Sequence, residues 1–505
     1  MFIYVNMASK MLCKQLRAKA IEFLKSRKNA NNLIDILSLI QDDDNIVQPC
    51  ILTLEMIFME ILKRREMFGA CAYSVEQDAS AETKYRIWLR ECYEDTFNRL
   101  LVVLEKHRSS SQSQALSTLM KLVALEGKHP LESTQKSEYY FPVQRLHSIL
   151  LVLLSSEQNT AQLMGRFQEF TSYHDVRYFV WKLLPNIVLN HKHPSEVYIK
   201  NMLQLIDKIP LPKSGEGPLV LLCEPENGEA FCLNVDQMRK WLNRVWGCLM
   251  HWEHTPSTHH QLLVVLLERV LAYLDRPLML TDYLMDSLDM GGPVSLLALQ
   301  GIFVLIQKHN LDYPNIFTKL YSMFEPEIFH TRYKARLFYL SDLFLSSTHL
   351  PENLVAAFAK RLARLTLVAP PQDILVILMF IGNLILRHPG LKRLINHPTG
   401  GEVSQDPYIM EEREPMRSHA IESSLWEVQA LQSHILPSIA TAARFINSPL
   451  PQVEWDLSKI LEQTPDDIFE KEVRKKAKEI TLTFEKPHSM DLPRGERLNH
   501  YWNLS

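Results

Sequence analysis

The side chains best suited to bind a metal ion lie between Cys223 and His260. Cys248 and His251 are three positions apart, so on a helix they would share one face. The other members of this group are Cys232, His254 and His259. Structural zinc sites take their ligands as two closely spaced pairs of cysteines or histidines, and this group is spaced differently. We therefore interpret these histidines as partly exposed residues at helix ends and predict no metal site.

The sequence contains no motif for a familiar catalytic or nucleotide-binding site. The G-x-S-x-G and H-E-x-x-H motifs, the Walker loop and the dinucleotide fingerprint are absent from the 505 residues. Gly215-Glu216-Gly217 lacks a third glycine and follows no clear strand, and the carboxylates are scattered along the chain. We therefore predict a protein that is not an enzyme, that uses no cofactor and that has no small-molecule substrate.

Basic residues gather in two groups between residues 296 and 371. The first group is Arg332, Lys334 and Arg336, and the second is Lys360, Arg361 and Arg364. Such a surface could hold RNA phosphates without reading sequence, or it could bind a peptide partner, as the extended surfaces of repeat proteins do. A third interpretation is a solvated helix face whose charge serves solubility. The residues alone leave these three interpretations open.

The formal net charge of −3 limits how this chain could bind nucleic acid. A protein that holds nucleic acid by itself usually has a strong basic excess, so any RNA contact must be indirect or use a local basic patch. Residues 1–30 form one such patch, with seven lysines and arginines against Glu22 alone. This segment could be a nuclear targeting or RNA-contacting helix. The alternative is a solvated first helix.

Helices must position these residues, because helical periodicity runs through most of the chain. Only 15 residues are glycine, which leaves little material for tight hairpins or phosphate loops. Between residues 296 and 371, Pro314, Pro351 and Pro370 separate short helices joined by short turns, and short turns place successive helices antiparallel. Similar helices recur without alternating strands. The predicted fold is all-α, an irregular HEAT/armadillo-like helical solenoid in two halves.

The helix that follows Pro351 shows its faces most clearly. One apolar stripe at helical spacing contains Leu354, Val355, Phe358, Leu362 and Leu365. The second basic group lies on the opposite side. We therefore predict a helix that packs along one face, with Phe358 in the middle of the stripe, and that is basic along the other.

Proline and glycine density suggests the division of the chain. Residues 210–235 hold four prolines and three glycines, a density typical of a loop or linker. We predict N-terminal helical repeats over residues 1–209 and a C-terminal helical half over residues 236–505. The seven cysteines are odd in number and form no C-x-x-C pair, so we expect a reducing compartment such as the nucleus or cytosol.

Strongly apolar runs raise the question of a membrane. They lie at about residues 262–306 and 374–386, and the longest uninterrupted one is Ile374 to Leu386. A membrane span takes about 20 apolar residues, and runs of about 10–14 are more often buried core helices. We interpret these runs as core helices. A multi-pass nuclear membrane protein is the alternative.

The amino-acid sequence of residues 295–437 resembles that of a known protein family. The resemblance rests on LLALQGIFVLIQKHNLDYPNIFTKLYSMF, then FLSSTHLPENLVAAFAKRLARLTLVAPP, the DPY of residues 406–408 and AIESSLWEVQAL at residues 420–431, followed by His434 and Pro437. Together these stretches resemble the core of the CCAAT-binding-factor domain family, in its nucleolar complex branch. Beyond Pro449 the family's acidic-aromatic segment is matched only loosely, by EWDLSKILEQTPDDIFEKE.

This resemblance implies a non-catalytic assembly factor for the small ribosomal subunit, located in the nucleolus. It implies pre-rRNA processing, maturation and export of the pre-small-subunit particle, and a stable complex with a nucleolar protein 14-type partner. An importin-like transport adaptor, which has a similar helical-repeat sequence, is a further alternative.

We expect the C-terminal half to be the main docking surface for the partner. Tyr313 and Trp426 lie near turns beside polar or proline neighbours, and aromatic residues with arginines make the strongest anchors. The predicted partner-binding residues are Tyr313, Arg336, Lys360, Arg361, Arg364 and Trp426. The alternative for both aromatic residues is a place in the core.

Overall fold

The fold is built from helices joined by short turns. This computed structural model describes residues 2–41, 44–69, 81–106, 109–132, 139–212, 218–224, 231–311, 315–396 and 405–479. Across these ranges the regular structure is α-helix with short 3₁₀ segments and one π-helical turn, and no strand occurs. The predicted all-α class is confirmed.

Contacts divide the chain into two compact units, residues 1–301 and residues 302–505. The helices of unit 1 are α1 Phe2–Lys25, α2 Asn31–Ser38, α3 Asp44–Lys63, α4 Ala81–Lys106, α5 Ser109–Lys128, α6 Val143–Leu153, α7 Ala161–Phe167, α8 His174–Leu189, α9 Glu196–Lys208, α10 Val235–Met250, α11 Pro256–Val265 and α12 Thr281–Asp289, and α13 Gly292–His309 contains the division. The helices of unit 2 are α14 Ile316–Ser322, α15 Lys334–Phe344, α16 Glu352–Leu365, α17 Pro371–Arg387, α18 Trp426–Leu431, α19 Pro437–Ala443, α20 Leu457–Leu461 and α21 Pro465–Glu479.

Unit 1 is a two-layer helical repeat. Odd-numbered helices pack in series from α1 to α11, each on the next odd one, and even-numbered helices do the same from α4 to α10. Contacts such as those between α4 and α5 join the two layers. Because each helix packs on helices nearby in the chain, the arrangement is a helical solenoid. This solenoid class is the one that the sequence predicts.

The division between the units differs from the predicted one. The sequence places the boundary at residues 210–235, whereas the contacts place it between Gly301 and Ile302. Helices α10 and α11 pack on α8 and α9, so they belong to unit 1. Residues 213–217 and 225–230 of the predicted linker lie outside the described residues.

The described part of the predicted linker is bound to unit 1 by a buried carboxylate. Asp175, at the start of α8, is fully buried. It accepts hydrogen bonds from the backbone N–H groups of Leu222 at 3.0 Å and Cys223 at 2.9 Å, and from the Tyr139 hydroxyl at 2.7 Å. Cys223 is buried against Gly127. Residues 218–224 therefore form a docked loop.

The longest apolar run forms α17, which is buried along nearly all its length. The predicted core helix is confirmed. Asn383, the polar residue within this run, is 1% exposed. Its side-chain amide donates to the Trp455 carbonyl at 2.9 Å and accepts from the Trp455 N–H at 2.8 Å. Within the described residues, no helix combines the length and hydropathy that crossing a bilayer requires.

Gly382 lets the segment around Trp455 dock on α17. A β-carbon at position 382 would overlap the Trp455 indole ring. We expect Gly382→Ala to lower the free energy of unfolding of unit 2 by about 1–3 kcal/mol, as overpacking commonly does. Urea unfolding would measure this change, and faster proteolysis at residues 450–457 would locate it. Gly247→Ala is the control, because a β-carbon there would meet nothing within 4 Å.

Candidate partner-binding site

Helix α16 is buried on both of its faces. Every residue from Leu354 to Ala363 is buried, including Lys360 at 0% exposed and Arg361 at 8%. The prediction of an exposed basic face on α16 is therefore wrong for these two residues. The physical reason is that α18 and the 3₁₀ turns Pro415–Arg417 and Ala420–Glu422 pack on that side.

The Lys360 ammonium group is held entirely by groups within unit 2. It donates to the two Glu427 carboxylate oxygens at 2.7 and 2.9 Å and to the Ser424 carbonyl at 2.6 Å. Asp406 Oδ2 is 2.9 Å from the same nitrogen. Glu427 is as fully buried as Lys360. A buried ammonium is stable only with such close opposite charge and hydrogen bonding.

Arg364 and Trp426 extend this network to the surface. Arg364 lies 2.8 Å from Asp406 and 2.8 Å from Glu427, and the Trp426 indole N–H donates to Asp406 at 2.8 Å. The guanidinium of Arg364 lies 4.8 Å from the centre of the Trp426 ring. Arg364 is 29% exposed and Trp426 40%. We call Lys360, Arg364, Asp406, Trp426 and Glu427 the charged cluster.

The charged cluster is electrically balanced, with two cations and two carboxylates. Burial alone would raise the pKa of Asp406, but hydrogen bonds from Lys360 and two neighbouring side chains outweigh it and hold that pKa well below its usual range. Burial raises the pKa of Glu427, and the charge of Lys360 opposes that rise. The cluster therefore acts as a fixed internal support for the exposed Trp426 ring.

The low pKa of Asp406 gives a test that depends on pH. A carboxyl group whose folded-state pKa lies below its unfolded value stabilises the fold above the unfolded pKa of about 3.8 and loses this contribution as the pH falls below it. Asp406→Asn should therefore lower the free energy of unfolding by about 1–3 kcal/mol at neutral pH. The difference from the unchanged protein should shrink below about pH 4. Urea unfolding at several pH values would show it, and a difference independent of pH would contradict the ionised pair.

Arg361 fixes the segment after Asp406 against α14 and α16. Its guanidinium donates to the Phe324 carbonyl at 2.7 Å and to the Met410 carbonyl at 3.0 Å. It also lies 4.6 Å from the centre of the Tyr321 ring, and the Tyr321 hydroxyl is 2.7 Å from that of Tyr408. Arg361 forms part of the wall of an open cavity of about 490 Å³. Its role in the structure is to hold a loop.

Two predicted partner-binding residues remain, Tyr313 and Arg336, and the structure describes the second of them. Tyr313 lies outside the described residues. Arg336 is exposed near the start of α15. Lys334, from the same basic group, is 2.9 Å from the buried carboxylate of Asp373. Of the six predicted residues, the structure brings Lys360, Arg364 and Trp426 into one cluster.

Sequence reasoning missed the acidic half of the cluster. Asp406 belongs to the DPY motif and Glu427 directly follows Trp426, so both lie in the stretches that carry the family resemblance. Their importance could have been inferred from the need to balance Lys360 and Arg364. Periodicity along a single helix does not reveal which distant segment covers its second face.

The histidines between residues 251 and 259, for which we predict no metal site, form hydrogen bonds with groups nearby in the structure. His251 Nδ1 lies 2.6 Å from the Gly247 carbonyl, and His254 Nε2 lies 2.8 Å from the Leu249 carbonyl. His259 lies between the hydroxyls of Tyr283 at 2.9 Å and Ser287 at 3.1 Å, and burial lowers its pKa. In the part of the chain that the structure describes, no three His, Cys, Asp or Glu side chains are arranged as metal ligands.

Known proteins match this chain over both units. The family model described as the CBF/Mak21 family matches residues 295–443, which include the charged cluster. A second model, described as nucleolar complex protein 4-like TPR repeats, matches residues 14–193. The predicted resemblance over residues 295–437 is confirmed, and the second match covers the N-terminal helices, for which the sequence offered no motif.

Full-length relatives give the same assignment. Nucleolar complex protein 4 homolog B of Xenopus laevis is 39% identical over 94% of this chain and 92% of its own length. The Homo sapiens homolog is 37% identical over 95% of this chain and 96% of its own. Nucleolar complex protein 4 of Saccharomyces cerevisiae is 27% identical over 93% of each chain. At this identity and coverage, the chain belongs to the nucleolar complex protein 4 family, and its C-terminal unit carries the CBF/Mak21 domain.

Proposed function

We propose that this protein is a non-catalytic scaffold in small-ribosomal-subunit biogenesis that works in the nucleolus. In this proposal it binds a nucleolar protein 14-type partner and joins the pre-small-subunit particle. Its contribution is to hold that partner during pre-rRNA processing, maturation and export. The observation that carries the proposal is the match to nucleolar complex protein 4 relatives over about nine-tenths of the chain.

The structure supports a scaffold through the way it uses its charged residues. Inside unit 2, Asp406 and Glu427 neutralise the charges of Lys360 and Arg364, so these groups stabilise a surface. Trp426 remains 40% exposed on top of them, and tryptophan and arginine are frequent anchors in protein interfaces. We propose that Trp426 and Arg364 are the anchor for the partner.

Depletion in cells tests the proposed pathway. Removing the protein should reduce mature small-subunit rRNA and leave large-subunit rRNA nearly unchanged, because we propose that the protein and its partner act on the small-subunit precursor. RNA blots for both rRNAs over the course of depletion would measure this. An equal loss of both, or a loss of large-subunit rRNA alone, would contradict the small-subunit assignment.

Trp426→Ala tests the proposed anchor. Truncating an anchor residue costs about 2 kcal/mol or more of binding free energy, so affinity for the partner should fall about 30-fold. Trp426→Phe keeps a ring but removes the N–H donor to Asp406, and we expect an intermediate loss. Tyr339→Ala is the control, because Tyr339 is an aromatic residue of unit 2 with 48% exposure. Equal affinity of the Trp426→Ala variant and the unchanged protein would exclude this anchor.

A further inference from the structure

Three helix ends of unit 1 meet at one surface. The Arg64 guanidinium, just after the end of α3, donates to the Leu24 carbonyl near the end of α1 at 3.2 Å. Arg86, near the start of α4, donates to the Phe68 carbonyl at 3.5 Å. Arg27, just after α1, lies 5.0 Å from the centre of the Tyr85 ring. These contacts bring residues 22–28, 60–68 and 82–88 together, and we call them the basic-aromatic surface.

This surface is strongly basic within an acidic chain. Residues 22–28, 60–68 and 82–88 carry eight lysines and arginines against four glutamates, a formal charge of +4, whereas the whole chain carries −3. The basic side chains reach solvent: Arg27 is 61% exposed and Arg86 43%. Ion pairs with Glu60 and Glu82 hold Arg64 and Arg86 in place. The net positive charge of these three segments favours an anionic ligand.

Aromatic rings accompany these charges. Tyr85 and Trp88 are both half-buried, with ring centres 5.7 Å apart and planes inclined at 33°. Phe68 is 42% exposed. Half-buried rings beside lysines and arginines are what proteins use to stack the bases of single-stranded nucleic acid while they contact its phosphates. An acidic peptide would need the charges but not the rings.

We propose that the basic-aromatic surface of unit 1 binds single-stranded RNA directly. Lysines and arginines of the three helix ends contact phosphates, and the Tyr85 and Trp88 rings stack bases. This inference goes beyond the proposed function, because it assigns RNA contact to unit 1 rather than to a partner. It does not require the protein partner to be a nucleolar protein 14-type protein.

The test measures the binding of a fluorescent oligouridine of about 16 nucleotides to the full chain by anisotropy at several salt concentrations. The variant is Lys25→Glu with Lys28→Glu and Lys63→Glu, three exposed residues of the surface. We expect its affinity to fall at least about tenfold. The slope of log affinity against log salt should become shallower by about 2, since each phosphate contact contributes about 0.7 for single strands.

The control reverses the same amount of charge in unit 2. Arg417, Lys459 and Arg474 are 75%, 82% and 78% exposed, and changing all three to glutamate should leave RNA affinity unchanged. Tyr85→Leu should weaken binding without changing the salt slope, because stacking releases no counterions. Circular dichroism verifies that each variant is folded.

Three results would overturn the proposal. The first is equal loss of affinity in the unit 1 and unit 2 charge variants, which would show non-specific attraction only. The second is competition by polyglutamate as strong as that by unlabelled oligouridine, which would identify an acidic peptide as the ligand. The third is an unchanged affinity in the folded Lys25, Lys28 and Lys63 variant. Each of these results leaves the rRNA depletion test of the proposed function unaffected.

Discussion

Replacing Glu427 with alanine is expected to lower the free energy of unfolding of unit 2 by about 3–5 kcal/mol. Glu427 and Lys360 are both fully buried. Without Glu427, the Lys360 ammonium keeps Asp406 and one carbonyl but loses two charge-assisted hydrogen bonds. Removing one member of a buried ion pair leaves an uncompensated charge, which costs far more than the pair itself contributes. Urea unfolding followed by circular dichroism would measure the change.

A double variant separates the burial of charge from the loss of packing. Lys360→Met with Glu427→Leu removes both charges and keeps apolar side chains of similar volume. We expect it to be more stable than Glu427→Ala alone, because no unpaired charge of this pair remains. Glu422→Ala is the control, since Glu422 is exposed. If Glu427→Ala lowered the free energy of unfolding by less than about 0.5 kcal/mol, Glu427 would behave as a surface residue. It would then not balance the buried charge of Lys360.

Replacing Phe358 with alanine is expected to cost about 3–5 kcal/mol, as truncating a buried phenylalanine commonly does. Phe358 is fully buried. Its ring lies edge-to-face with Tyr321 at 5.3 Å between ring centres and with Phe324 at 6.2 Å. The loss combines the removed apolar surface with a cavity that these two rings would leave unfilled.

The companion variant for this position is Phe358→Leu, which retains most of the apolar volume and should cost much less. Urea unfolding of both variants under the same conditions gives the comparison. A loss below about 0.5 kcal/mol for Phe358→Ala would be typical of a surface site and would contradict the packing of α16. Equal losses for both variants would show that the aromatic contacts, rather than volume, dominate.

The sequence predicts the packed face of α16 correctly and its other face incorrectly. Phe358 lies in an apolar stripe, and periodicity identifies such a stripe from one helix alone. Lys360 lies opposite, where the same pattern predicts solvent. The structure instead covers that face with Glu427, 67 residues later. A local pattern contains no information about a contact so distant in the chain, so the burial of Lys360 could not be read from it.

The boundary between the units was difficult to predict for a related reason. Proline and glycine density marks where regular structure stops, and it does so correctly after Ile209, where α9 has ended. It does not show whether the next segment is free or docked. Asp175 binds residues 222 and 223 through their backbone N–H groups, so the loop stays with unit 1. The observed division falls inside α13, where the helical pattern continues without interruption.

Affinity purification of the full chain from nucleolar extract, with and without RNase, tests the proposed scaffold function most directly. We predict that a nucleolar protein 14-type partner remains bound in constant ratio after RNase treatment, and that Trp426→Ala releases it. The variant with Lys25, Lys28 and Lys63 changed to glutamate should retain the partner and lose RNA. Loss of the partner on RNase treatment alone would show that RNA holds the two proteins together, and it would contradict the proposed protein-to-protein scaffold.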